Sequence, residues 1–279
     1  MIDIWYLLVQ AVCPWDWARY AFMKNALLAV LMIAPVFALL GTLVVNNRMA
    51  FFSDVLGHSA LTGVAIGVVL GFADPFWPML IFAVLLAAAF NFLKKLTKAG
   101  ADTILGVFLS FVTALGIVLL SRGGGFAKFT SYLIGDILAV SAADTAWLGV
   151  LFFIVWVYWF LFSSRLAFSS VSPVLARSRG VNVFYLEMGF TMLIAVVVAS
   201  SIRLVGILMI NALLILPAAA SRNFARNMAG YTAGAVVISL ISGIAGLIAS
   251  YYWATASGAT IVLFAVMFYA IAALLSAKR

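Results

Sequence analysis

Of the 279 residues, 67% are hydrophobic and 9% charged, and Lys and Arg outnumber Asp and Glu by sixteen to eight. Soluble domains carry about 25% charged residues, and a water-soluble chain of this length has too little interior to hide so much apolar surface, which excludes a soluble globular protein. The formal charge of +8 sits in short connections between apolar runs, the positive-inside pattern rather than a nucleic-acid patch, so no nucleic-acid partner is expected.

A spanning helix needs roughly 20 mostly apolar residues, because every backbone polar group must be paired inside the segment. The N-terminal stretch has no basic region and holds Asp3 and Asp16; it does not read as a cleaved signal peptide. Residues 1–25 are expected to form an extracytoplasmic or interfacial segment, and residues 26–279 one integral transmembrane domain. The pattern predicts spans at 26–45, at 55–72 (short and Gly-rich), at 76–93 and at 103–120. Residues 121–144 are too polar to span and too apolar for a free loop; within them 129–140 is expected to be a short helix dipping back into the protein. Further spans follow at 146–162, 184–199, 204–216 (short, ended by Pro217), 232–251 and 260–276, with a long helical connection over 163–183. The expected fold is therefore an all-α polytopic membrane protein with eight or nine transmembrane helices plus a short re-entrant or interfacial helix. With the C-terminus inside, eleven of the sixteen Lys and Arg fall in cytoplasmic segments, which favours an N-out, C-in chain.

His58 is the lone histidine, and Asp54 precedes it by one helical turn. On a helix both project from one face, about 6 Å apart along the axis. A neutral imidazole with a carboxylate suits a first-row divalent ion, and ionisable groups inside a membrane are costly and tend to be functional. The alternative is that Asp54 caps a helix at the membrane edge while His58 bonds a neighbouring helix. Two ligands make a weak site, as a permease that must release its ion requires. Asp136 either faces the pore or caps the short helix around it. Asp102 reads as a helix cap, Glu187 as a partner of a helix dipole, and Asn211 as an interhelical hydrogen-bonding group. Trp5, Trp15, Trp17, Trp77, Trp147 and Trp253 read as interfacial belt residues.

The chain has one cysteine, Cys13, and so neither a disulfide framework nor a cysteine metal cluster. No GxxxxGK[ST] phosphate loop and no Gly-x-Ser-x-Gly elbow occurs. Ser59 adjoins His58 but points elsewhere on a helix. The chain is thus not expected to be an enzyme.

Four stretches carry a resemblance: Arg48-Met49-Ala50-Phe51-Phe52-Ser53-Asp54 followed by Gly57-His58-Ser59-Ala60-Leu61-Thr62-Gly63; Asp102-Thr103-Ile104-Leu105-Gly106; Gly135-Asp136-Ile137-Leu138-Ala139-Val140; and the run from Val205-Gly206-Ile207 to Leu216-Pro217-Ala218-Ala219. In order over residues 23–268, the chain resembles the permease subunits of bacterial metal-uptake ABC transporters, above all the high-affinity zinc-uptake type.

The resemblance implies a multi-pass protein of the bacterial plasma (inner) membrane, in contact with lipid, with the type II, vitamin-importer-like permease fold. It implies a homodimer, two cytoplasmic ATPase subunits that use the ATP, and an extracytoplasmic metal-binding protein. No permanently bound cofactor is implied; Zn2+, or Mn2+ or Fe2+, is the cargo. Asp54 and His58, with Asp136, would line the transient metal path. Residues 172–180 resemble the cytoplasmic coupling helix, with Ser172, Ala176, Arg177, Arg179 and Gly180 meeting the ATPase. Zinc-type relatives often carry a second histidine where this chain has Leu109-Ser110, so manganese and iron stay open. The competing classes are a secondary metal transporter or channel working without ATP, which would be expected to hold more buried carboxylates, and an importer of chelated metal.

Overall fold

The computed structural model describes residues 2–12, 15–72, 74–97, 99–123 and 135–277. Among them are eleven α-helices and no strand: α1 (Ile2–Val12), α2 (Ala21–Asn46), α3 (Phe52–Val69), α4 (Phe76–Leu96), α5 (Ala101–Gly123), α6 (Ala142–Val171), α7 (Pro173–Ser178), α8 (Val183–Val205), α9 (Ile207–Arg222), α10 (Met228–Trp253) and α11 (Ser257–Ala277). Eight of these, all but α1, α7 and α9, are long and apolar enough to cross a membrane.

Three boundaries differ from expectation. Pro217 lies inside α9, which runs on to Arg222; a proline removes one backbone bond, but in a packed membrane helix local adjustments re-satisfy the freed carbonyl. The 30-residue α6 continues to Val171, so most of the expected connection is helix. Its serines stay helical by turning their hydroxyls back onto the preceding turn, Ser169 Oγ donating to Leu166 O at 2.9 Å and Ser170 Oγ to Ala167 O at 2.7 Å. Of the expected dipping helix, residues 129–134 lie outside the described residues, and Ile137–Ala139 is a single 3-10 turn. Trp17 is also no belt residue, being 1% exposed.

The chain divides into two compact units, residues 1–42, 135–157 and 204–279 in the first and 43–134 with 158–203 in the second. Lipid tails are as apolar as leucine, so cohesion inside each unit rests on close backbone approach and hydrogen bonds rather than on hydrophobic burial.

In the first unit α9, α10 and α11 pack on one another. The short α9 forms the core, with Ile210, Leu213, Leu214 and Ala218 fully buried. A helix enclosed in this way needs no length to match the bilayer. Gly41 brings α2 against the Leu214 carbonyl, where any Cβ would clash. Ser239 Oγ donates to Ala34 O at 2.9 Å and Tyr231 Oη to Thr42 O at 3.3 Å, joining α10 to α2. The N-terminal α1 is fastened to α2 by Trp5 Nε1, which donates to Lys24 O at 2.9 Å, and by Tyr6 Oη, which donates to Asn25 Oδ1 at 2.8 Å.

In the second unit α3 packs against α4 and α5. A Cβ on Gly63 would sit 2.6 Å from Met79 Cα, and Thr62 Oγ1 donates to Val112 O at 2.7 Å. The glycines of α3 therefore serve close packing, and the helix is unbroken over its 18 residues.

Candidate functional site

The turn before α3 fixes where its first residues point. Arg48 closes α2 in the left-handed region (φ +56°), with Arg48 N donating to Val45 O at 3.2 Å and Met49 N to Val44 O at 3.0 Å. Phe52 then enters the interior, fully buried, its ring 5.3 Å from that of Phe90 on α4. These anchors set Asp54 in the first turn of α3 and His58 one turn later. The N-cap residue, Phe51, makes no side-chain cap bond, and Asp54 places a carboxylate in the first turn, at the positive end of the helix dipole.

Both side chains are half-buried, amid the fully packed Ser53, Val55, Leu56 and Ser59. The expected pairing on one helical face is present. Among the described residues no side chain hydrogen-bonds the His58 ring, while the His58 carbonyl accepts from Thr62 Oγ1 at 3.1 Å. No cluster of three or more His, Cys, Asp or Glu occurs among the described residues. What the pair offers a cation is one imidazole and one carboxylate on a rigid helix, enough to coordinate weakly and to release.

Asp136 belongs to the other unit and is exposed. Its carboxylate accepts from Leu138 N at 3.0 Å, capping the 3-10 turn. The residue before it, Gly135 (φ +62°), lies flat against the backbone of Gly206 (φ +80°), the residue that opens α9. Two of the four resembling stretches thus meet here.

The segment 172–180 is a self-contained helical turn. Ser172 Oγ accepts from Leu175 N at 3.4 Å and Pro173 occupies the first helical position, where its missing N–H costs nothing. The exit is a Schellman closure: Gly180 N donates to Arg177 O at 3.0 Å and Val181 N to Ala176 O at 3.1 Å, with Gly180 at φ +75°. Ala176 is fully buried and pins α7 down, while Val171, Val174 and Leu175 are exposed by 85%, 74% and 56%. Arg177 points outward, and the Arg179 guanidinium lies 4.9 Å above the Phe168 ring.

A polar clasp between α4 and α8 was not visible in the sequence. Lys94 Nζ lies 2.8 Å from Glu187 Oε2, Asn91 Nδ2 donates to Thr191 Oγ1, and Lys95 Nζ sits 4.7 Å over the Phe184 ring. Three side chains from the last turns of α4 meet three from the first turns of α8 in antiparallel order. Only the Asn-x-x-Lys-Lys and Phe-x-x-Glu-x-x-x-Thr spacings hinted at it, each placing its groups on one helical face.

The profile of the ABC 3 transport family matches residues 19–276. The chain is 35% identical over 239 residues to the high-affinity zinc uptake system membrane protein ZnuB of Haemophilus influenzae, covering 85% of this chain and 91% of that protein. It is 30% identical over 262 residues to the manganese transport system membrane protein MntC of Listeria monocytogenes, covering 94% and 93%. Among solved structures, PsaBC from Streptococcus pneumoniae in complex with a Fab superposes with a TM-score of 0.77 at 25% identity, covering 98% of this chain and 95% of that one.

Proposed function

The chain belongs to the ABC 3 transport family, and we propose that it is the membrane permease subunit of an ATP-driven importer of divalent transition-metal ions, with zinc as the cargo. The observation that carries this is the match, over most of the chain, to membrane proteins of zinc uptake and manganese transport systems, in a protein whose described residues include eight helices suited to crossing a membrane. Manganese is the second reading, since the manganese-system relative covers 94% of the chain.

The ion enters from an extracytoplasmic metal-binding protein into a cavity formed by two copies of the subunit. Asp54 and His58 coordinate it transiently, and Asp136 is assigned to the same translocation path. The half-burial of both α3 side chains and the open ring of His58 support this role. Residues 1–25 form the extracytoplasmic or interfacial segment, 26–279 the transporter domain, and 172–180 the cytoplasmic coupling helix. A separate ATPase subunit docks on that helix: Val174 and Leu175 supply apolar surface, and Ser172, Ala176 and Gly180 fix its shape. Arg177 and Arg179 favour an acidic partner face. ATP-driven closure of the partner subunits then opens the pathway to the cytoplasm.

The test is uptake of radiolabelled zinc and manganese by metal-starved cells carrying this chain, with and without the ATPase and binding protein, and with His58→Ala. Uptake of one ion that needs the ATPase and collapses in the variant is the expected result. Uptake unchanged by removal of the ATPase would transfer the protein to the secondary carriers.

A further inference from the structure

Beside α7, a cavity of about 460 Å³ opens where α6 ends and α8 begins, within the size range of small-molecule sites. Arg165 and Arg179 line it together with Phe162, Gly180, Asn182 and Tyr185, and none of its eight lining residues is acidic. Arg179 is held by its stacking on Phe168, and Gly180 at φ +75° lets the chain fold back to complete the wall. Asn182 Oδ1 accepts from Tyr185 N at 3.5 Å, which closes the far side. Two arginines in the wall of one hollow that has no acidic lining residue suit a phosphodiester, which a guanidinium can grip through paired N–H donors.

The setting identifies the source of that phosphate. On α6 the residues just before the cavity, Phe160 and Leu161, are 78% and 64% exposed; on a membrane helix such a face meets acyl chains. Four residues after Leu161, Arg165 begins the basic lining. The Tyr185 ring, 69% exposed, is the amphipathic group that settles at headgroup level. The cavity therefore stands where the lipid-facing surface of α6 gives way to water. We propose that it is a specific site for the headgroup of an anionic phospholipid, the phosphate held between Arg165 and Arg179 and the chains running down the Phe160–Leu161 face. Basic pockets at membrane edges recognise such lipids by this chemistry. The proposal rests on the cavity and not on the transport reading: Arg165 has no part in that reading, and Arg179, which is also assigned to the coupling helix there, enters here as a lining residue of the cavity.

The experiment is native mass spectrometry of the full-length chain released from detergent with phosphatidylglycerol or phosphatidylcholine, repeated in 10 mM inorganic phosphate. Phosphatidylglycerol should be retained in preference to phosphatidylcholine. Arg165→Gln and Arg179→Gln should each lower its retention about fivefold, the worth of one basic residue near anionic lipid. Arg226→Gln, which removes the same charge from an exposed site elsewhere, should change nothing. Circular dichroism separates a lost site from a lost fold, and Arg165→Lys should retain more lipid than Arg165→Gln if the fold is sound. Equal retention of the two lipids, or wild-type retention in both cavity variants, overturns the proposal. Displacement of phosphatidylglycerol by inorganic phosphate overturns it too, leaving a free-anion site.

Discussion

Gly135 and Gly206 meet backbone to backbone, both with positive φ, leaving no room for a Cβ on the first. Gly135 is required twice, once for its dihedral and once for the contact, and Gly206 for its dihedral. Gly135→Ala is expected to cost at least about 1–3 kcal/mol from the backbone alone, with the clash added, and to cut the yield of monodisperse protein severalfold in size-exclusion chromatography. Gly106→Ala is the contrast: nothing lies within 4 Å of that position on α5, and alanine should leave stability unchanged or raise it by up to about 1 kcal/mol. Equal behaviour of the two variants would remove the Gly135–Gly206 contact as an explanation.

The Lys94–Glu187 pair is 31% and 22% exposed, so its worth is reduced by solvent. Lys94→Ala and Glu187→Ala should each lower stability by about 0.5–1 kcal/mol, and the double variant by less than the sum. The charge reversal Lys94→Glu with Glu187→Lys should recover part of the loss. Thermal melts in detergent at low and high salt measure all four; strict additivity would show that the ion pair contributes nothing.

Asp54→Asn keeps the size of the side chain and removes its charge. If the α3 pair lines the metal path, uptake should fall at least about tenfold, the lower end of what even supporting groups around a metal cost when mutated, while the melting temperature stays near wild type. A variant that transports normally would return Asp54 to a purely dipolar role at the start of α3.

Docking on α7 predicts an effect on association without an effect on membrane insertion. Leu175→Asp puts a charge on the exposed apolar ridge, and recovery of the ATPase with the tagged permease should drop about tenfold or more. Ser172→Ala, which deletes the cap, should cost about 1 kcal/mol locally and weaken the same interaction less. Undiminished recovery with Leu175→Asp would place the ATPase contact elsewhere.

The chain's apolar runs announced nearly every long helix, because lipid demands about 20 paired residues per crossing. The Asp54–His58 pairing was legible for a related reason: one turn of helix suffices to predict a shared face. Pro217 misled because a rule learned from exposed helices fails inside a packed one, and the serine-rich end of α6 misled because its hydroxyls bond backward within the helix. The pairing of Lys94 with Glu187 was beyond reach, since it depends on which helices become neighbours, and so was the cavity around Arg165, whose walls come from two stretches, 162–165 and 179–186.

Glu187 and Thr191 clamp α8 to α4 only a short distance from its first residue, Val183. At about 1.5 Å per residue, roughly 12 Å of helix separate Val183 from Thr191 and roughly 18 Å remain to Arg203. If the Thr191 end of this clasp were to act as a pivot, it would stand off-centre on the helix. A push delivered at the short arm, beside α7, would swing the long arm the opposite way about one and a half times as far. Spin-label distances within the second unit, taken from residue 201 to a fixed point on α4, would register such a swing, and a distance unchanged when α7 is loaded would mean the helix shifts along its axis or not at all. Gearing of this kind would turn a small displacement at the membrane's edge into a wider one at depth with no hinge in the helix.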